Sequence, residues 1–164
     1  MGYCVNTYEV FEMAEQVERN GLEFYQHAAE VVKDKSVKDL LLELAKMESD
    51  HEEKFFNIKK RLELSEHSIF PDLDDLVVSN LRALATGKVF KNSPEDVLVS
   101  DETTVEDILD VALDFERNTI VFFSSLKTMM KDCEEQKIID LLIKEEVDHI
   151  AILMEKKGKL DKNG

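Results

Sequence analysis

Four long stretches of this chain repeat their apolar positions in steps of three and four. Leu41, Leu44, Glu48, His51, Phe55 and Ile58 follow one another at three, four, three, four and three residues. Ile139, Leu142, Glu146, His149 and Leu153 keep the same rhythm. That spacing draws one stripe along a helix, the seam that packs against neighbouring helices. Val10, Ala14, Gly21, Leu22 and Tyr25 surround Glu18 in the same manner, and Ile108, Ala112, Ile120 and Phe123 surround Glu116. No stretch alternates convincingly with period two, so an all-α protein is expected.

Local signals bound these helices. Asn6 and Glu9 have the spacing of a capping box, opening a helix that runs to about Val32; Ser36, with Asp39 three residues on, starts a second that runs to about Leu62. Thr103 and Glu106 form a further box ahead of a third long helix ending near Met130, and a fourth runs from about Glu134 to Lys156, with Gly158 as its stop. The stretch 66–102 holds both prolines. Within it Leu73, Leu76, Val77, Leu81 and Leu84 suggest one short helix, and Ser93-Pro94-Glu95 the start of another turn. Two helical hairpins, about 6–62 and 103–156, are thus joined by a crossover long enough to run the length of a bundle. One such crossover defines the ferritin-like four-helix bundle rather than simple up-down-up-down topology.

Composition narrows the function. A chain of 164 residues is the size of one domain, 1–164, and can bury a real core. Five glycines and two prolines leave room for long uninterrupted helices. The formal charge of −15 argues against nucleic acid and anionic membrane as partners, because both need basic patches. No apolar run approaches the roughly 20 residues of a membrane span, and Met1-Gly2-Tyr3-Cys4 lacks the pattern of a secretory signal, so a cytoplasmic protein is expected. Cys4 and Cys133 form no C-x-x-C pair, which excludes a zinc ribbon, a thioredoxin motif and a four-cysteine iron site.

The chemistry lies in a repeat. Glu18-Arg19-Asn20 and Glu116-Arg117-Asn118 stand 98 residues apart, and so do Glu48-x-x-His51 and Glu146-x-x-His149. Residues three apart on a helix project from one face and can reach one ion together. A single E-x-x-H is weak; two, each thirty residues after the glutamate of an E-R-N tripeptide, are not credible as chance. All six polar side chains interrupt apolar seams. Buried carboxylates crowded together repel or stay partly protonated, and two divalent cations would relieve them, so metal is expected to stabilise the fold. A carboxylate-rich set suits iron or manganese better than zinc.

These residues resemble the rubrerythrin-like branch of the ferritin-like superfamily over nearly the whole chain, from about Asn6 to Lys156. The resemblance rests on Glu18 with Tyr25 seven residues later, Glu48-x-x-His51, Glu116 and Glu146-x-x-His149. It implies two iron ions, with manganese or zinc as substitutes. Glu18 and Glu116 would each be a terminal ligand, Glu48 and Glu146 would bridge, and His51 and His149 would each complete one metal's shell. Tyr25 matches a tyrosine beside the metals in that family; its repeat partner is Phe123. Rubrerythrins often carry a rubredoxin-type iron domain with two C-x-x-C motifs and a further glutamate three residues after the third-helix ligand. This chain has neither, Thr119 standing at the latter position.

The implied function is a non-haem di-iron oxidoreductase reducing hydrogen peroxide or dioxygen, with electrons from an external donor such as a rubredoxin-like protein. A homodimer is expected by analogy. The alternative is an iron-binding or iron-handling protein without efficient turnover. Among other polar residues, His27, whose repeat partner is Ser125, reads as a surface group or as one lying just outside the ligands, His67 as a surface group, and Asp50 and Asp148 as solvated acids or as partners that orient an imidazole across the bundle. Phe11, Phe24, Phe55, Phe115 and Phe122 read as packing residues.

Overall fold

The computed structural model describes residues 7–63, 75–86, 103–131 and 134–162. Asn6, Cys4, Cys133, His67, Leu73, both prolines and the Ser93-Pro94-Glu95 turn lie outside them. The described residues form five helices and no strand: α1 Thr7–Val31, α2 Lys35–Glu63, α3 Asp75–Ala85, α4 Val105–Met129 and α5 Glu134–Asp161.

The helix ends differ from their sequence signals in physically simple ways. Asp34, ahead of Ser36, caps α2, its Oδ1 accepting a hydrogen bond from the Val37 N–H at 2.8 Å. At α4 the capping box sits one residue later than expected. Thr104 Oγ1 accepts from the Asp107 N–H at 3.1 Å, and Asp107 accepts from the Thr104 N–H at 2.9 Å. Thr103-Glu106 and Thr104-Asp107 offer the same spacing; the register in which Ile108, Leu109 and Ala112 turn inward selects between them. Gly158 does not end α5, which continues to Asp161. Glycine stops a helix when it takes a left-handed conformation, and Gly158 does not.

Two apolar clusters fill the interior. One joins Val10, Phe11, Ala14 and Val17 of α1 to Phe55 and Ile58 of α2, Phe122, Phe123 and Leu126 of α4, and Ile139 and Leu142 of α5. The other joins Phe24, Tyr25 and Ala28 of α1 to Val37, Leu41 and Leu44 of α2, Ile108, Leu109 and Ala112 of α4, and Leu153 of α5. Burying each of the larger side chains contributes about 1.5–3 kcal/mol. The first half of α1 therefore packs with the second halves of α2 and α4 and the first half of α5. The hairpins are antiparallel within themselves, and α2 ends at the opposite end of the bundle from the start of α4. The connection between them must traverse its length, as a four-helix bundle with one long crossover requires.

The crossover helix α3 lies against α1 and α4. Val78, Leu81 and Ala85 are buried on the first cluster, whereas Leu76 is exposed. Asn20 of α1 holds the end of α3 by donating its Nδ2–H to the Ala85 carbonyl at 2.8 Å. At the centre of the bundle, Gly21 permits close approach of α1 to α4: a Cβ there would stand 2.7 Å from Phe115 Cε1 and 3.3 Å from Glu48 Cδ.

Candidate metal centre

Between the two apolar clusters lies a polar layer. Glu18, Glu48, Glu116 and Glu146 are all fully buried, and His51 and His149 nearly so. Each follows from the seam on which it sits: the turns above and below are apolar, so their burial carries the polar turn inward with them. Four helices contribute, α1 and α4 one glutamate each, α2 and α5 a glutamate and a histidine each.

The six residues form two overlapping groups. Glu18, Glu48, His51 and Glu146 make one; Glu48, Glu116, Glu146 and His149 make the other, and within each a set of ligand-type atoms lies within 4.8 Å of one another. Glu48 and Glu146 belong to both. Each histidine turns Nδ1 toward the carboxylates. His51 Nδ1 is 2.9 Å from Glu146 Oε1 and 3.2 Å from Glu18 Oε2; His149 Nδ1 is 2.9 Å from Glu146 Oε2, 3.3 Å from Glu48 Oε1 and 3.4 Å from Glu116 Oε1. Their rings lie nearly parallel, 5.6 Å apart with 7° between planes.

Electrostatics without a cation are strained. Burial, then the charge of Glu146, pushes the Glu18 carboxyl well above its ordinary range. Burial pushes Glu48 up too, reinforced by Glu146 and Glu18, and Glu116, reinforced by Glu48. Burial acts the same way on Glu146, but the close imidazoles of His149 and His51 outweigh it and hold that carboxyl at about 2. Burial lowers both imidazoles, yet the surrounding carboxylates prevail and raise them, His149 strongly. Carboxylates this close raise one another's pKa, and a cation among them would relieve the repulsion.

The donor set fits a pair of divalent cations. Glu18 Oε1, both oxygens of Glu48, Glu116 Oε2, both oxygens of Glu146 and His149 Nδ1 are buried without a hydrogen-bond partner. Buried polar atoms are normally satisfied, and a concentration of orphans at one point is what cation ligands leave when the cation is not counted.

Around this layer the support is uneven. Tyr25 donates its hydroxyl hydrogen to Glu116 Oε1 in a short bond, while its repeat partner Phe123 has no hydroxyl to give. Burial, then the negative charge of Glu116, raises the Tyr25 hydroxyl far above its ordinary pKa and keeps it a donor. His51 Nε2 points outward to Glu145 Oε2 at 2.8 Å, and Lys54 Nζ donates to the same oxygen at 2.8 Å. Asp50 and Asp148, the acids beside the histidines in sequence, are exposed, as is His27. The partner of an imidazole is thus Glu145, which the repeat conceals: its counterpart in the first half is Met47. The break in the repeat was its only signal. Met47, Asp50, His51, Lys54, Glu145, Asp148 and His149 line an open depression of about 230 Å³ between α2 and α5.

A helical bundle with a twofold-repeated carboxylate–imidazole layer at its centre has the architecture and donor set of a diiron-carboxylate protein. The chain belongs to the rubrerythrin family, whose model matches residues 9–157. No curated protein matches it. Its fold is similar to a crystal structure from Thermotoga maritima described as a ferritin-like diiron-carboxylate protein. The two superpose with a TM-score of 0.69 at 22% identity, over 96% of this chain and 97% of the other. No described helix is long and apolar enough to cross a membrane.

Proposed function

We propose that Glu18, Glu48, His51, Glu116, Glu146 and His149 hold two iron ions, and that the protein is an oxidoreductase reducing hydrogen peroxide, or dioxygen, with electrons from a separate donor protein. One observation carries this reading: six buried ligand-type side chains meet in two groups that share Glu48 and Glu146. Shared carboxylates suit a pair of ions, because one carboxylate has two oxygens and can bond both.

In this reading Glu18 and His51 serve one ion, Glu116 and His149 the other, and Glu48 and Glu146 lie between. Held by these residues, two ferrous ions would supply two electrons for reduction of an O–O bond. The chain's own groups set the conditions. Phe24, Tyr25 and Leu44 on one side and Phe55, Phe122 and Phe123 on the other keep bulk water from the layer. Tyr25 orients Glu116 and holds a proton at its hydroxyl beside the site. The depression between α2 and α5 brings solvent to the outer edges of both imidazoles and is wide enough for a molecule as small as peroxide.

The test is to load the protein with ferrous iron without oxygen and mix it with hydrogen peroxide or with dioxygen. Two iron ions per chain, oxidised within seconds by one equivalent of peroxide and re-reduced by a rubredoxin-type donor, are expected. Two bound ions that neither oxidant converts at a useful rate would leave an iron-handling protein, and no iron bound would end the reading.

A further inference from the structure

The two halves present the same ligand types, yet only one histidine is anchored from behind. We propose that Glu145, itself held by Lys54, positions His51 for metal and so makes the two metal positions unequal, that of Glu18 and His51 being the tighter. This rests on the reading that the six residues hold two ions, and goes beyond it by assigning roles to two residues outside the set and an order to the two positions.

A carboxylate accepts hydrogen bonds and does not donate them, so Glu145 Oε2, 2.8 Å from His51 Nε2, receives a hydrogen from that nitrogen. With Nε2 committed as that donor, Nδ1, which faces Glu18, Glu48 and Glu146, is the nitrogen left to offer a lone pair to a cation. Partners of this kind fix the orientation of a metal-binding imidazole and raise its basicity. Lys54 Nζ, 2.8 Å from the same Glu145 oxygen, keeps the half-exposed Glu145 side chain from swinging into solvent. Among the described residues no carboxylate meets His149 Nε2. The positions that would correspond to Glu145 and Lys54 by the 98-residue repeat are Met47 and Ile152, and neither can accept a hydrogen or neutralise a carboxylate. Met47 lines the same depression as Glu145, so the asymmetry lies side by side in one place. The outer edge of the His149 ring thus lacks the anchor that His51 has, and only its inner edge meets carboxylates.

Cobalt(II), titrated against a chromophoric chelator, tests this in the full chain. Wild type should bind two ions in two resolved steps. Glu145→Met should weaken the tighter step about 10–100-fold, the usual cost of losing such a partner, and bring the two steps together. Glu145→Gln, whose amide oxygen can still accept from Nε2, should restore most of the loss. Lys54→Met should give a smaller loss at the same step, and Met47→Glu should tighten the weaker one. A proton spectrum of the cobalt(II)-loaded protein adds a readout that a merely structural role would not move: the shifted ring N–H signal of His51, protected by Glu145, should exchange faster with solvent in Glu145→Met while that of His149 stays unchanged. Two unchanged cobalt(II) steps in Glu145→Met would overturn the proposal while leaving the two-ion reading intact. A wild type that takes up no cobalt(II) would overturn both.

Discussion

Placed side by side, the two hairpins share their inner layer and differ in what surrounds it. Glu18 and Glu116, Glu48 and Glu146, His51 and His149 occupy matching positions and meet at one point. Tyr25 faces the layer from the first hairpin where the second has Phe123; Gly21 yields to Phe115 where the second has the larger Thr119; the second has Glu145 where the first has Met47, and the first has Lys54 where the second has Ile152. A layer that binds cations constrains residue type tightly, because each donor must be the right atom at the right distance. The surrounding shell is constrained only to fill space and to orient its neighbours, so it is free to diverge between two copies. In this protein that freedom has been used to make the halves chemically unequal.

The comparison can be broken most forcefully at the shared layer. With free metal a hundredfold above its dissociation constant, each bound ion stabilises the folded chain by about 2.7 kcal/mol, which in a chain of this size raises the melting temperature by roughly 5–10 °C per site. Chelation should remove this gain in wild type. Glu146→Ala, which strips a carboxylate from both groups, should abolish nearly all of it; a full metal-dependent rise in that variant would show that the halves do not share an ion pair.

The pH dependence should change sign with metal. Glu18, Glu48, Glu116 and both histidines are raised in the metal-free fold, so the folded chain binds more protons than the unfolded one. Stability from a raised group is fully present below its unfolded pKa and fades as pH climbs toward the folded value. The metal-free protein should therefore lose stability from pH 5 to pH 8, by about 1.4 kcal/mol per pH unit for each extra proton held. Glu146, held at about 2, acts oppositely but only below the ordinary carboxylate range. Metal competes with these protons, so the loaded protein should gain stability over the same interval. Thermal melts in a pH series with and without metal check this; parallel curves would contradict it.

Tyr25→Phe makes the first hairpin resemble the second. It removes a buried hydrogen bond to a carboxylate, worth about 1.5–3 kcal/mol, and should weaken metal binding at the Glu116 side more than at the Glu18 side. Chemical denaturation and cobalt(II) titration read the two effects; equal weakening at both would argue that Tyr25 serves the layer as a whole.

The smallest expected effect lies in the packing. Gly21→Ala gains about 1 kcal/mol of helix propensity but drives a methyl to within 2.7 Å of Phe115. Overpacking costs about 1–3 kcal/mol, so the net should be a loss of about 1 kcal/mol. Gly158→Ala meets nothing within 4 Å and should be stabilising by roughly 0.5–1 kcal/mol. Denaturation midpoints of the two variants moving in the same direction would remove the case for close approach at Gly21.

Much of this was legible in the residues alone. The four long helices follow from apolar spacing, and the inward placement of Glu48, His51, Glu146 and His149 from their interruption of a seam, because a helix turns rigidly and its apolar turns carry the polar ones with them. The pairing of the two halves follows from a repeat of residue types, and the long crossover from the length between hairpins. The boundaries were less legible: Thr104 rather than Thr103 caps α4, and Gly158 lies within α5, because caps depend on the register in which a helix docks.

What the sequence determined by itself, then, is a set of helical stripes and the donor types embedded in them, properties of one helix at a time. The tertiary structure alone decided which nitrogen of each histidine faces the carboxylates, that Glu145 rather than Asp50 or Asp148 meets His51, that Tyr25 reaches Glu116 across the bundle, and that Gly21 lies against Phe115. Each of these is a contact between different helices. Its partners are 91 residues apart for Tyr25 and Glu116 and 94 for His51 and Glu145, and periodicity along one helix carries no information about which side chain of another will stand opposite.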